Sequence, residues 1–171
     1  MSSVTIKIPF LSLVILCGPA GCGKSTFAHK FFLDTQIVSS DKCRAMIADE
    51  ENNMAVSGQA FKLFYMLIDM RLSAGKLTVA DSTALEKRSR KKLQKIAGKY
   101  GFHTTLIVFN VPFAYCLQQN ASRERKVETA VIGNHVKKLE KTLRDIGNEE
   151  YHQVFVLDVN DARLATVRVM R

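Results

Sequence analysis

The sequence predicts a three-layer α/β/α fold built on a central parallel sheet. Three observations carry that expectation. Short apolar runs of strand length alternate along the chain with stretches of helical period. The first run, Leu11 to Cys17, is apolar except for Ser12 and ends on a glycine. The segments between runs are long enough to cross a sheet and return. Strands connected in this way pair in parallel through right-handed crossovers, and ligands of such sheets sit beyond the carboxyl ends of the strands.

Taken in order, Leu11 to Cys17 is a strand buried on both faces. Ser25 to Phe32 follows as a helix. Gln36 to Ser40 is a second strand that delivers Asp41 to its carboxyl end, where a further helical stretch begins. Between Gly58 and Leu72, the residues Phe61, Phe64, Tyr65, Ile68 and Leu72 recur at three- and four-residue steps, which marks an amphipathic helix with Gly75 as its stop. Leu77 to Asp81 is a third strand, Glu86 to Lys99 a basic helix, and Thr104 to Asn110 a fourth strand. Phe113 to Asn120 and Val131 to Ile146 are helices, and Gln153 to Asp158 is the final strand. The tail after Asn160 belongs to a helix or begins something longer.

At 171 residues and 47% hydrophobic content the chain is long enough for one core, with no repeat or linker-like shift, so residues 1–171 read as one domain. No run reaches the roughly 18 apolar residues of a membrane span, and the opening Met1 to Phe10 lacks the pattern of a secretory signal. A cytoplasmic protein with no membrane partner is expected. Cys17, Cys22, Cys43 and Cys116 show no CxxC spacing, so reduced thiols are expected, with neither zinc nor disulfide. The histidines at 29, 103, 135 and 152 have no metal-site spacing and receive no role. A formal charge of +9 points to a polyanionic partner or a heavily phosphorylated substrate, without choosing between them.

The run Gly18-Pro19-Ala20-Gly21-Cys22-Gly23-Lys24-Ser25-Thr26 fits G-x-x-x-x-G-K-[ST] between a predicted strand and a predicted helix. Gly18, Gly21 and Gly23 free the backbone to wrap successive N–H groups around a phosphate chain at the positive end of the helix. Lys24 is placed to reach the β- and γ-phosphates of ATP or another nucleoside triphosphate, and Ser25 to hold Mg2+. The motif leaves open whether the phosphate passes to water or to an acceptor.

Asp41 and Arg44, three residues apart at a helix start, would lie on one side near that loop. A carboxylate there accepts the proton of an attacking hydroxyl and an arginine forks onto an acceptor phosphate; alternatively, Asp41 is only a helix cap. Asp81, at the end of its strand, is either a carboxylate supporting Mg2+ or the attacking oxygen, or a cap for the next helix. Ser122-Arg123-Glu124-Arg125-Lys126 has no apolar face and reads as a mobile lid whose guanidiniums could close on the γ-phosphate, or as an exposed loop. The basic helix carries Lys87, Arg88, Arg90, Lys91, Lys92, Lys95 and Lys99, which suit a solvated outer face and are also compatible with nucleic acid.

The runs Leu11 to Ala28, Val38 to Arg44 and Leu77 to Thr83 together resemble the kinase domain of bacterial polynucleotide kinase-phosphatase-ligase RNA repair enzymes, to which phage-type polynucleotide kinase is also similar. The likeness extends over Glu50 to Asn53, Val108 to Pro112, and the lid with Val131, Ile132 and His135 after it. It implies a P-loop kinase that transfers the γ-phosphate of ATP to the 5′-OH end of RNA or DNA in strand repair. In that reading Lys24 and Ser25 bind ATP and Mg2+, Asp41 is the general base, and Arg44 contacts the acceptor nucleotide. Arg123 and Arg125 act from the lid, Asp81 supports the site, and base contacts are expected near Met54 to Gly58. The family's third-strand motif commonly reads Asp-Ala-Thr-Asn, where this chain has Asp81-Ser82-Thr83-Ala84. Phosphatase and ligase-like modules follow such a domain and do not fit within 171 residues, so the chain is expected to be the N-terminal part of a larger repair protein.

Overall fold

The computed structural model describes residues 4–171, so residues 1–3 of the opening segment considered above for targeting features lie outside the described residues. Its centre is a parallel sheet of β2 (Ser12–Cys17), β3 (Ile37–Ser39), β4 (Thr78–Asp81), β5 (His103–Phe109) and β6 (Gln153–Leu157), in the order β3-β4-β2-β5-β6. Around it lie α1 (Lys24–Phe31), α2 (Ser40–Ala48), α3 (Ser57–Ser73), α4 (Lys87–Lys99), α5 (Phe113–Ala121), α6 (Thr129–Asp145) and the short α7 (Val159–Leu164). The architecture is the three-layer α/β/α sandwich that the alternation of elements predicts.

Strand β2 shows why both layers form. Its side chains alternate between faces: Leu13, Ile15 and Cys17 join a core with Phe64, Ile68 and Leu72 of α3 and with Leu93 and Ala97 of α4. Val14 and Leu16 join a second core with Phe27 and Ala28 of α1 and with Cys116 of α5. All six residues of the strand are buried, which accounts for its unbroken apolar run. The cysteines are buried free thiols. No helix among the described residues is long and apolar enough to cross a membrane.

The chain also forms a second sheet that the periodicity does not reveal. β1 (Thr5–Pro9) pairs in parallel with β7 (Thr166–Met170), and Ile6 and Ile8 are fully buried beneath the layer of α1. The tail after Asn160 is therefore helix and then strand.

A buried ion pair ties α4 to the segment leading into β6. Arg90 of α4 is 1% exposed and donates through Nε and Nη2 to both carboxylate oxygens of Glu149, at 2.9 and 2.6 Å. Its Nη1 donates to the carbonyl of Ala84 at 2.9 Å, and the hydroxyl of Tyr151 donates to Glu149 at 2.7 Å. Burial alone would raise the Glu149 carboxyl, but the hydrogen bonds from Arg90 and Tyr151 outweigh it and hold the group below its ordinary 4.5.

Glu149→Gln leaves a buried guanidinium without its countercharge and is expected to cost about 3–5 kcal/mol in urea unfolding, whereas Arg90→Met combined with Glu149→Leu costs less. Because the folded pKa of Glu149 lies below the unfolded one, its contribution is complete above pH 4.5 and is lost as pH falls through the folded value. Wild type should therefore lose stability more steeply than Glu149→Gln below pH 4.5.

Candidate active site

The glycine-rich loop leaves the carboxyl end of β2 and turns into α1. Gly21 and Gly23 have φ of 79° and 93°, a region closed to most side chains, and a Cβ at Gly21 would lie 2.8 Å from the carbonyl oxygen of Cys116. Lys24 opens α1, and its Nζ folds back to donate to the carbonyls of Gly18 and Pro19 at 2.9 and 2.7 Å. Ser25 Oγ donates to Asp81 Oδ2 at 2.8 Å. Asp81 is buried at the end of β4, and that burial raises its carboxyl while Lys24 and the Ser25 hydroxyl pull the other way.

Register brings Asp41 next to this loop. Ser39, the last residue of β3, pairs with Asp81 of the neighbouring strand, so the start of α2 projects beside the Ser25–Asp81 contact. The cap of α2 is Ser39, whose Oγ accepts from the N–H of Lys42 at 3.3 Å. The capping alternative for Asp41 thus falls, and its carboxylate turns to two guanidiniums. Nη1 of Arg44 donates at 2.6 Å and Nη1 of Arg125 at 2.8 Å, one to each oxygen. Arg44 is buried; its Nε donates to Ser57 Oγ at 3.1 Å and its guanidinium lies 5.8 Å from the ring centre of Phe61. Arg125 Nη1 also reaches Glu51 at 3.3 Å, while its Nε is buried without a hydrogen-bond partner among the described residues.

These side chains line one cleft of about 760 Å3, which also takes in Gly21, Gly23, Arg123 and His135. Arg123 stands exposed at the rim, on the loop between α5 and α6. Gly18, Cys22 and Thr26 do not line the cleft. The first two pack inside the loop, where a Cβ at Gly18 would meet Cys22 Sγ at 2.9 Å, and Thr26 faces out from α1. Among the described residues no cluster of three or more His, Cys, Asp or Glu could hold a metal. The donors present, a hydroxyl beside a carboxylate under a phosphate-binding loop, fit Mg2+, which takes few protein ligands and completes its shell with phosphate and water oxygens.

Two contributors escaped the sequence reading. His135 of α6, given no role there, accepts from the N–H of Ala20 through Nδ1 at 3.2 Å, and burial, followed by Lys24 and Lys138, lowers its pKa, which favours the neutral imidazole this bond requires. No local spacing marks it. Arg90 was hidden among the lysines of its helix, although it shares a three- and four-residue stripe with the apolar Leu93 and Ala97. Through it the departure at Ala84 is accommodated. Ala84 has φ of 46°, a conformation Asn tolerates better than alanine, and its carbonyl accepts from Arg90 and from the Cys17 thiol. The preceding carbonyl, that of Thr83, accepts from the N–H of Gly18 at 2.9 Å.

A family model described as an AAA domain matches residues 13–145. No curated protein matches the chain by sequence. Among solved structures, the chain is similar to a chain of the Pnkp1/Rnl/Hen1 RNA repair complex, with 22% identity over 84% of this chain and a TM-score of 0.68. It spans 47% of that chain, about half its length. It is also similar to a gluconokinase from Sinorhizobium meliloti 1021, with 15% identity, 91% of this chain and 88% of that one covered, and a TM-score of 0.58. The APS kinase CysC of Mycobacterium tuberculosis, solved with AMPPNP and APS, gives 15% identity, coverages of 91% and 94%, and a TM-score of 0.56. At such identities the likeness establishes the P-loop kinase fold.

A side chain at Gly21 forces a left-handed backbone and a clash with the Cys116 carbonyl. Gly21→Ala is therefore expected to weaken ATP binding about tenfold or more in calorimetric titration, from strain of roughly 1–2 kcal/mol before the clash is added.

Proposed function

Since the chain belongs to the AAA domain family, we propose that it is a polynucleotide 5′-hydroxyl kinase, passing the γ-phosphate of ATP or a related nucleoside triphosphate to the 5′-OH end of RNA or DNA. The observation that carries the proposal is the placement of Asp41 between the phosphate loop and Arg44 at the carboxyl edge of the sheet. A hydrolytic switch has no need of a buried arginine beside its base, whereas a transferase must hold an acceptor there.

The loop N–H groups and Lys24 hold the phosphate chain, with Lys24 leaving the Gly18 and Pro19 carbonyls for phosphate oxygens. Ser25 and Asp81 would hold Mg2+, which neutralises charge on the phosphates when bound. Asp41 takes the proton of the 5′-hydroxyl as that oxygen bonds to the γ-phosphorus and the bond to the bridging oxygen breaks, releasing the nucleoside diphosphate. Arg44 orients the acceptor through its phosphate. Arg123 and Arg125 act from the lid on the transferring group, a role supported by both arginines lining the cleft. The formal charge of +9 and the likeness to an RNA repair complex support a nucleic acid acceptor. The span of 47% of the similar repair-complex chain supports a larger repair protein, in which phosphatase and ligase-like modules would accompany this domain.

A kinase of a small hydroxylated metabolite is the second reading, favoured by the fold shared with gluconokinase and APS kinase. Labelled γ-phosphate of ATP should appear on the 5′ end of single-stranded RNA or DNA, fall at least 100-fold in Asp41→Ala with nucleotide binding kept, and fall with binding in Lys24→Ala. Labelling of gluconate-like alcohols alone would decide for the second reading.

A further inference from the structure

The cleft does not end at Arg44. Phe61, which lies beneath that guanidinium, and Glu86 line both the cleft and an adjoining groove of about 470 Å3 between α3 and the start of α4. Phe61 and Tyr65 form its partly buried floor. Its rim carries three exposed cations, Lys62 from α3 and Arg88 and Lys92 from α4. Lys92 Nζ stands 4.0 Å from the centre of the Tyr65 ring. The single acidic lining residue, Glu86, is paired with Lys138 of α6, so its charge is met outside the groove.

The basic helix thus has three kinds of cation. Arg90 is buried in its ion pair, and Lys87, Lys91 and Lys95 are exposed outside the groove lining. Arg88 and Lys92, one helical turn apart, look across at Lys62 over aromatic rings. Cations over an aromatic floor are the combination that holds single-stranded nucleic acid, with phosphates on the rim and bases on the rings. Here that combination begins where the 3′-phosphate of the 5′-terminal nucleotide would meet Arg44.

Resting on the polynucleotide reading, we propose that this groove holds the nucleotides that follow the 5′-terminal one, so that the enzyme selects a strand over a mononucleotide. Lys62, Arg88 and Lys92 contact successive phosphates, and Lys92, in moving from the Tyr65 ring to a phosphate, uncovers that ring for sequence-tolerant stacking.

The test compares a 5′-OH nucleoside 3′-monophosphate with 5′-OH decamers of RNA and DNA, for wild type and for the combined variant Lys62→Ala, Arg88→Ala, Lys92→Ala. Wild type is expected to favour a decamer through KM. The variant should lose that preference while its kcat on the monophosphate and its melting temperature are unchanged. Three phosphate contacts at about 0.7 each set a log–log salt slope of about 2, so between roughly 50 and 200 mM salt, decamer affinity should fall about 20-fold more for wild type than for the variant. A variant that keeps both the length preference and the salt slope overturns the groove and leaves the kinase standing. Equal use of both acceptor lengths by wild type does the same. Failure to label any 5′-OH strand, with ATP still bound, overturns the polynucleotide reading and the groove with it.

Discussion

Parallel strands cannot be joined by tight turns, so every connection between β2, β3, β4, β5 and β6 leaves one edge of the sheet and returns to the other. All the loops that follow strands therefore gather at a single edge, and the candidate site lies there. The glycine-rich loop follows β2, Asp81 ends β4, and the Ser39-to-Arg44 turn follows β3, three strands that lie side by side. The Ser25–Asp81 hydrogen bond is the direct result, joining two residues 56 positions apart because β2 and β4 are neighbours. The two cores on either side of the sheet hold that edge in place.

Charge is distributed unevenly across the cleft. The glycine-rich loop presents backbone N–H groups and one lysine, whereas across the cleft Asp41 and Glu51 are balanced against Arg44 and Arg125. Such a mixed cluster orients the Asp41 carboxylate through two guanidiniums while balancing charge on that side of the cleft. Much of the surplus positive charge lies on α4, whose exposed lysines are screened by water.

The sequence made much of this legible because much of it is local. A strand buried on both faces must be apolar at every position, and Leu13 to Cys17 is; a phosphate loop needs left-handed turns, and Gly21 and Gly23 supply them. The features that stayed hidden depend on partners far along the chain. β1 is five residues long, alternates exposed and buried, and ends on proline, and its partner β7 begins 161 residues after it. Periodicity reports a face, never a partner. The roles of Ser39 and Asp41 were inseparable in Ser-Ser-Asp, since either oxygen can cap a helix, and only the backbone geometry gives the task to Ser39. His135 received no role, and the pairing of the lid residue Arg125 with Asp41 and Glu51 was not legible, because both depend on how α5 and α6 close over the sheet.

Ala84 holds its unfavourable φ because Arg90 and Cys17 grip its carbonyl, and Arg90 in turn is fixed by Glu149 on the segment leading into β6. The backbone just past Asp81, one residue of which accepts from the N–H of Gly18, is thus braced from the opposite half of the sheet. In a saturation mutagenesis screen scored by activity, positions such as Glu149 and Tyr151 would register as functional although neither lines the cleft. A map of sensitive positions on this enzyme would accordingly trace a line from the nucleotide to the far strand, and the width of that line measures how much of the scaffold is committed to holding a few loop residues in place.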